Sequence, residues 1–196
     1  MVAKPQAIRL VCMVPAGYMA KRVQTPKGFH IDHVRDVYSV SSHVNDDFAD
    51  YINYWKHNGY WLFDSPEIIQ TVARENSIEL KGTSLFYYEV YEMEFDGQSW
   101  HPYQPESSFQ TNIIPAVGKR LEGFDVVTFF AKNAPESSPL SCNSMAKEVR
   151  TNDHCLLASF EEAYDGVTNG VFNDAEPGPY RIFAVYSADW PRDNNG

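Results

Sequence analysis

Apolar and polar positions alternate between two periods along the chain, and the order of those periods recurs. Ile8–Val14 is a run of apolar and β-branched residues closed by Pro15, which reads as a largely buried strand with Cys12 as core filling. Residues 15–46 are broken by prolines and glycines. Ile31, Val34, Val37 and Val40 stand three apart, a spacing that admits a short helix or an irregular segment packed on a sheet. Phe48, Tyr51, Ile52 and Trp55 give one apolar face of a helix that Asn58-Gly59 stops.

Tyr60–Phe63 reads as a short strand. Ser65 then stands as N-cap and Pro66 in the first turn of a helix carrying Ile69, Val72 and Ala73 on one face. The aromatic, β-branched run Leu85–Phe95 is a strand, closed by an Asp96-Gly97 turn. Residues 99–120 are rich in Pro, Gln and Ser and read as a linker.

The second half restates this order. Phe124–Phe130 reads as a strand, and 154–161 falls where 58–67 fell. Ser159 with Glu162 makes a capping box ahead of Phe160, Tyr164 and Val167, and Tyr180–Tyr186 closes as a strand resembling Leu85–Tyr91. Ser159 lies 94 positions after Ser65, and Val185 lies 95 after Val90, so the register is nearly kept over a helix and its flanking strands. The expected fold is α/β or α+β. It is a mixed-sheet domain, 1–196, of two internally similar β-β-α-β-like halves, about 6–98 and 121–190, joined by the 99–120 linker. Each strand–helix–strand step returns parallel. Arg181, a cation in an apolar strand, is expected at an edge or in the seam between the halves.

Charge narrows the partners. The chain of 196 residues carries a formal charge of −10, and Lys4, Arg9, Lys21, Arg22 and Lys27 make residues 1–31 +5 against −15 for the rest. An acidic body gains nothing from phosphate backbones, so nucleic acid is not expected as a partner. No apolar run approaches the roughly 20 residues that span a bilayer, so no membrane association is expected. Three cysteines without a CxxC pair fit a reducing, cytoplasmic setting, and the oligomeric state is expected to be monomer or homodimer.

Three functional readings follow. The first is a noncatalytic protein-binding or regulatory protein, with Asp46, Asp47, Asp50, Glu89, Glu92 and Glu94 among aromatics as a surface for a basic protein partner. The second is a thiol-dependent hydrolase or transferase. Cys142, in a loop rich in Ser and Pro, is its nucleophile, His154 its base and a carboxylate such as Asp153 or Glu136 the residue orienting the ring. The third is a sensor of polar small molecules with a pocket lined by Tyr87, Tyr88 and Tyr186. His30, Asp32, His33, Asp36 and His43 form an incomplete ligand set, so neither a metal nor a cofactor is expected.

Overall fold

The structure, a computed structural model, describes residues 12–23, 31–41, 58–107, 109–129, 137–175 and 177–191. They form an α/β domain of six strands and two α-helices, with the sheet not closed into a barrel. The strands are β1 (Met13–Lys21), β2 (Ser84–Tyr91), β3 (Met93–Phe95), β4 (Trp100–Pro102), β5 (Arg120–Thr128) and β6 (Tyr180–Ala188). The helices are α1 (Pro66–Glu75) and α2 (Phe160–Thr168). Strands β2 and β6 pair at the centre, with β1 on the far side of β2 and β5 along β6. The β3–β4 hairpin continues beyond β2 and touches β6 at Phe95–Tyr180.

These ladders are antiparallel. The segment expected as a strand at Tyr60–Phe63 contributes one bridge, Tyr18–Phe63, and 154–161 contributes one, Phe124–Leu157. Because Phe63 and β2 both run antiparallel to β1, the step through α1 does return parallel, one strand removed.

Of the run expected as the first strand, residues 8–11 lie outside the described residues; β1 opens at Met13 and runs through Pro15, and Cys12, expected as core filling, is exposed. A bulge accommodates the proline: Pro15 opposes Glu89 and Gly17 opposes Tyr88, which leaves Ala16 as the extra residue. Gly17 has φ +131°, and a Cβ there would stand 2.7 Å from the Phe63 carbonyl oxygen. β5 repeats the device, with Gly123 at φ +152° and a Cβ position 2.8 Å from the Leu157 oxygen. An asparagine braces each bulge. Asn58 donates to the Ala16 carbonyl (2.8 Å) and accepts from the Tyr60 and Leu62 amides (2.9 and 3.1 Å). Asn152 donates to the Glu122 carbonyl (2.8 Å) and accepts from the His154 and Leu156 amides (2.9 and 3.0 Å). Trp61 and Cys155, three residues beyond the asparagines, are both left-handed, at φ 58° and 62°.

The helices follow their sequence signals. α1 buries Ile69, Val72 and Ala73, with Pro66 opening it, although the Ser65 hydroxyl makes no cap bond. α2 buries Phe160, Ala163 and Val167. The Ser159 hydroxyl accepts from the Glu162 amide (3.1 Å), and the Glu162 carboxylate accepts from the Ala158 amide (3.1 Å). Residues 31–41 are not helical but form an extended strap. Ile31, Val34 and Val37 enter the core under α2, while Val40 enters the core under α1, so the three-residue spacing reflects a chain crossing two cores. The helix expected over 48–55 lies outside the described residues.

Candidate ligand site

An open cleft of about 560 Å³ lies between the bulged part of β1 and the coil that follows β4, bounded by Tyr60, Glu92, Tyr103, Gln104 and Thr111 among apolar neighbours. Tyr60 is placed by the Asn58 turn, and Tyr103 by donation of its amide to the Glu92 carbonyl (2.9 Å). The two rings stand 6.4 Å apart, and Tyr60 meets Phe183 edge-on at 6.0 Å. The coil packs closely here, since a Cβ on Gly59 would stand 2.4 Å from Pro105.

Behind the Tyr103 wall lies Arg181. Its guanidinium carbon is 3.1 Å from the centre of the Tyr103 ring and 3.9 Å from that of Phe129, a cation held between two aromatic faces. Nη2 donates to Glu94 at 2.6 Å. Nε and Nη1 have no hydrogen-bond partner among the described residues, although the residue is only 2% exposed. Burial raises the Tyr60 and Tyr103 hydroxyls, and the Arg181 charge opposes the shift in both, so both cleft tyrosines stand in its field.

The three tyrosines expected to line one pocket divide between the sheet's two faces. Tyr87 and Tyr186 are cross-strand partners with ring centres 5.9 Å apart. Tyr88, one residue on, projects from the opposite face, as strand pleating requires. Glu89 lies with the first pair: it accepts from the Tyr186 hydroxyl (2.8 Å) and from Lys119, whose ammonium also stands over both rings at 4.6 and 4.3 Å. Burial and the Glu89 charge push both hydroxyls above the ordinary tyrosine range. Tyr88 is fully buried, and its hydroxyl has no hydrogen-bond partner among the described residues.

A second polar centre lies under the strap. Lys21, 2% exposed, donates to the carbonyls of Ser39 and Ser41, the latter at 3.5 Å. Asp125, 0% exposed, accepts from the hydroxyls of Ser39 (2.5 Å) and Ser138 (2.7 Å) and from the Val40 amide (3.0 Å). Burial pulls the Lys21 ammonium down to about 7, with the charges of Asp125 and Cys142 opposing, and burial raises the Asp125 carboxyl.

Cys142 borders this centre, its sulfur 3.7 Å from the Ser41 hydroxyl and 3.8 Å from that of Ser141. No hydrogen bond joins it to His154. The His154 ring stacks on Tyr38 at 3.9 Å and pairs through Nδ1 with Asp36, while Nε2 is 3.6 Å from Asp153. Asp153 stands beside His154, while Asp36 is the carboxylate on Nδ1 and Glu136 lies outside the described residues.

Of the acidic residues, Asp46, Asp47 and Asp50 lie outside the described residues. Glu89 and Glu94 are engaged by Lys119 and Arg181, and Glu92 is exposed at the cleft. His30 and His43 also lie outside the described residues, and His33 is bonded to Thr151 (2.9 Å). Among the described residues no three metal-ligating side chains converge, and no helix is long and apolar enough to cross a membrane.

The chain matches no protein-family model, no curated protein and no solved structure.

Proposed function

We propose that the protein is a noncatalytic binder of small polar molecules and that the Tyr60–Tyr103 cleft is its site. The observation that carries this reading is the conjunction of a cavity of about 560 Å³ with two aromatic walls and a buried guanidinium behind one of them. Ligand sites are cavities of roughly 300–1,000 Å³ with apolar walls and a few polar groups. This is the sensor reading of the sequence, with Tyr60 and Tyr103 in place of Tyr87, Tyr88 and Tyr186. For the protein-binding reading, the internal ion pairs of Glu89 and Glu94 reduce the charge left to steer a basic partner. For the thiol-enzyme reading, His154 is committed to Asp36 and Tyr38 rather than to Cys142.

The cleft also supports the duplication of the chain into halves of about 6–98 and 121–190. The matching bulges, asparagine braces and left-handed residues favour it, as does the central row Gly17, Tyr88, Val185, Gly123, in which each residue opposes the next. In this register Tyr88 corresponds to Val185 and Phe86 to Phe183, a shift of two from the 95-residue spacing. The longer connection between α2 and β6 accounts for the shift. Tyr60 then corresponds to His154. Tyr60 faces an open cleft, whereas Tyr38 of the strap occupies the corresponding place, stacked on His154 and edge-on to Phe86 at 4.9 Å.

The test is titration with benzyl alcohol, a neutral polar aromatic, followed by amide resonances. Saturable shifts at Tyr103, Gln104 and Thr111, lost in Thr111→Trp, are expected at millimolar concentration. Saturable binding that Thr111→Trp leaves intact, or no shift at any of the three, refutes the cleft as the site.

A further inference from the structure

Arg181 is a buried cation with unmet donors. Buried N–H groups are nearly always satisfied in folded proteins, and an unsatisfied one carries the full cost of its desolvation. Nη2 reaches Glu94, and the flat faces lie against Tyr103 and Phe129, but Nε and Nη1 meet no acceptor among the described residues. Access is through Tyr103, which forms the cleft wall and covers the guanidinium at 3.1 Å. Its residue lies in coil beyond β4, where rotation of the ring breaks no strand ladder.

Charge selects what can enter. Arg181 and Glu94 neutralise one another. Glu92 bounds the same cleft, is exposed, and takes part in no ion pair among the described residues, and the Glu106 carboxylate also acts on Tyr103, so carboxylates outnumber the cation around the cleft. A simple anion would meet Glu92, and a simple cation would leave the Arg181 donors unmet. Between these poles the walls are apolar, with Val14, Pro15, Met93 and Ile113 contributing, and the tyrosine faces suit an ammonium as well as an aromatic ring.

We propose that the occupant is a small zwitterion, an α-amino acid with an apolar side chain, whose carboxylate accepts from the free donors of Arg181 and whose ammonium lies against Glu92. Tyr103 is then a gate whose ring swings aside as the carboxylate enters. The inference rests on the cleft being the binding site.

Four probes of similar shape separate the contributions: L-phenylalanine, 3-phenylpropionate, phenethylamine and benzyl alcohol. L-Phenylalanine is expected to bind roughly tenfold or more tighter than benzyl alcohol, the gain that one or two charge-assisted hydrogen bonds supply. Arg181→Met is expected to remove about tenfold of affinity for L-phenylalanine and 3-phenylpropionate while leaving phenethylamine unchanged. Glu92→Gln should weaken L-phenylalanine and phenethylamine and leave 3-phenylpropionate no weaker. A measurement on the unmodified protein stands whether or not the Arg181 variant folds: the Nε–H resonance of Arg181 should shift with L-phenylalanine and 3-phenylpropionate and stay fixed with phenethylamine. If all four probes bind alike at the cleft, or if the Nε–H resonance ignores both carboxylates, the zwitterion is wrong while the cleft reading stands. If no probe, benzyl alcohol included, perturbs the cleft amides, both fail.

Discussion

Lys21→Met should change how stability depends on pH between 7 and 8.5. Lys21 is 2% exposed beneath the strap, hydrogen-bonded to two carbonyls, and burial lowers its ammonium from 10.5 to about 7. The unfolded chain keeps that proton to about 10.4, so between about 7 and 10.4 unfolding takes up a proton. The lysine therefore destabilises the fold fully below about 7, and the penalty is relieved as pH rises, at up to ~1.4 kcal/mol per unit. From pH 7, where the folded lysine is half protonated, to 8.5 that relief amounts to about 1.7 kcal/mol. Methionine has a stem of similar length and no charge, so the variant loses this slope. Asp125 does not obscure the sign. Without its cation, its raised carboxyl rises further, and a carboxyl raised by folding loses stability as pH increases, which only widens the difference. Urea unfolding of both proteins at half-unit intervals and fixed ionic strength measures it, with the m-value checked for constancy. A difference between wild type and variant that stays flat across the window would show that Lys21 is ordinarily charged in the fold, and the reasoning would fail.

The remaining predictions concern the paired bulges and the thiols. Gly17→Ala and Gly123→Ala should each destabilise by roughly 2–4 kcal/mol, since each combines a strained φ with a Cβ under 3.0 Å from a carbonyl oxygen; a loss below 1 kcal/mol in urea unfolding contradicts the close approach. Asn58→Ala and Asn152→Ala should cost similar amounts, about 2–4 kcal/mol, because each strands two backbone amides and a carbonyl; clearly unequal losses would count against equivalence of the two turns. In the native protein iodoacetamide should label Cys12 and Cys142, both exposed, and spare Cys155, which is buried with its thiol pushed up to about 12; peptide mapping that finds Cys155 labelled as fast as the others is the contrary result.

The elements that local chemistry specifies were legible in the sequence. The Ser159–Glu162 box, Pro66 at the head of α1, the aromatic run of β2 and the Asp96-Gly97 turn each act within a few residues. The turn is tight enough that the Gln98 and Ser99 amides hold the Asp96 carboxyl at about 2. Pro15 misled because a proline ends a strand unless a bulge receives it, and that bulge depends on Asn58 and Phe63, more than 40 residues away. Asn58-Gly59 read as a helix stop, and the bonds of Asn58 to the Ala16 carbonyl and to the Tyr60 and Leu62 amides, which brace another strand, had no local signal. The separation of Tyr87 from Tyr88 needed only the two-residue period of a strand. Tyr60, Tyr103 and Arg181 meet through tertiary packing alone. The one sequence signal was a lone arginine in the apolar run Tyr180–Tyr186, whose charge required some buried partner.

Under the proposed duplication, what distinguishes the halves is what covers the equivalent turns, and this bears on where a ligand can bind. The strap over His154 is held at many points: the Arg35 and Tyr38 amides donate to the Asp153 and His154 carbonyls, Asp36 pairs with the imidazole, and Ser39 and Val40 are fixed to Asp125. The coil over Tyr60 is tied by the Tyr103 amide on the Glu92 carbonyl, the Asn112 amide on the Asp64 carboxylate (2.6 Å), the Ile114 amide on the Asp64 carbonyl (3.3 Å) and the Tyr18 hydroxyl on the Ile114 carbonyl (2.6 Å). A segment tied by several buried hydrogen bonds opens rarely, and one tied at its ends opens at lower cost. On the proposed function the ligand enters beside Tyr60, whereas the place beside His154 is taken by Tyr38, stacked on the imidazole at 3.9 Å. Under the proposed duplication Arg181 has Ser84 as its counterpart, so the cation against Tyr103 belongs to one side alone, the side of the proposed cleft.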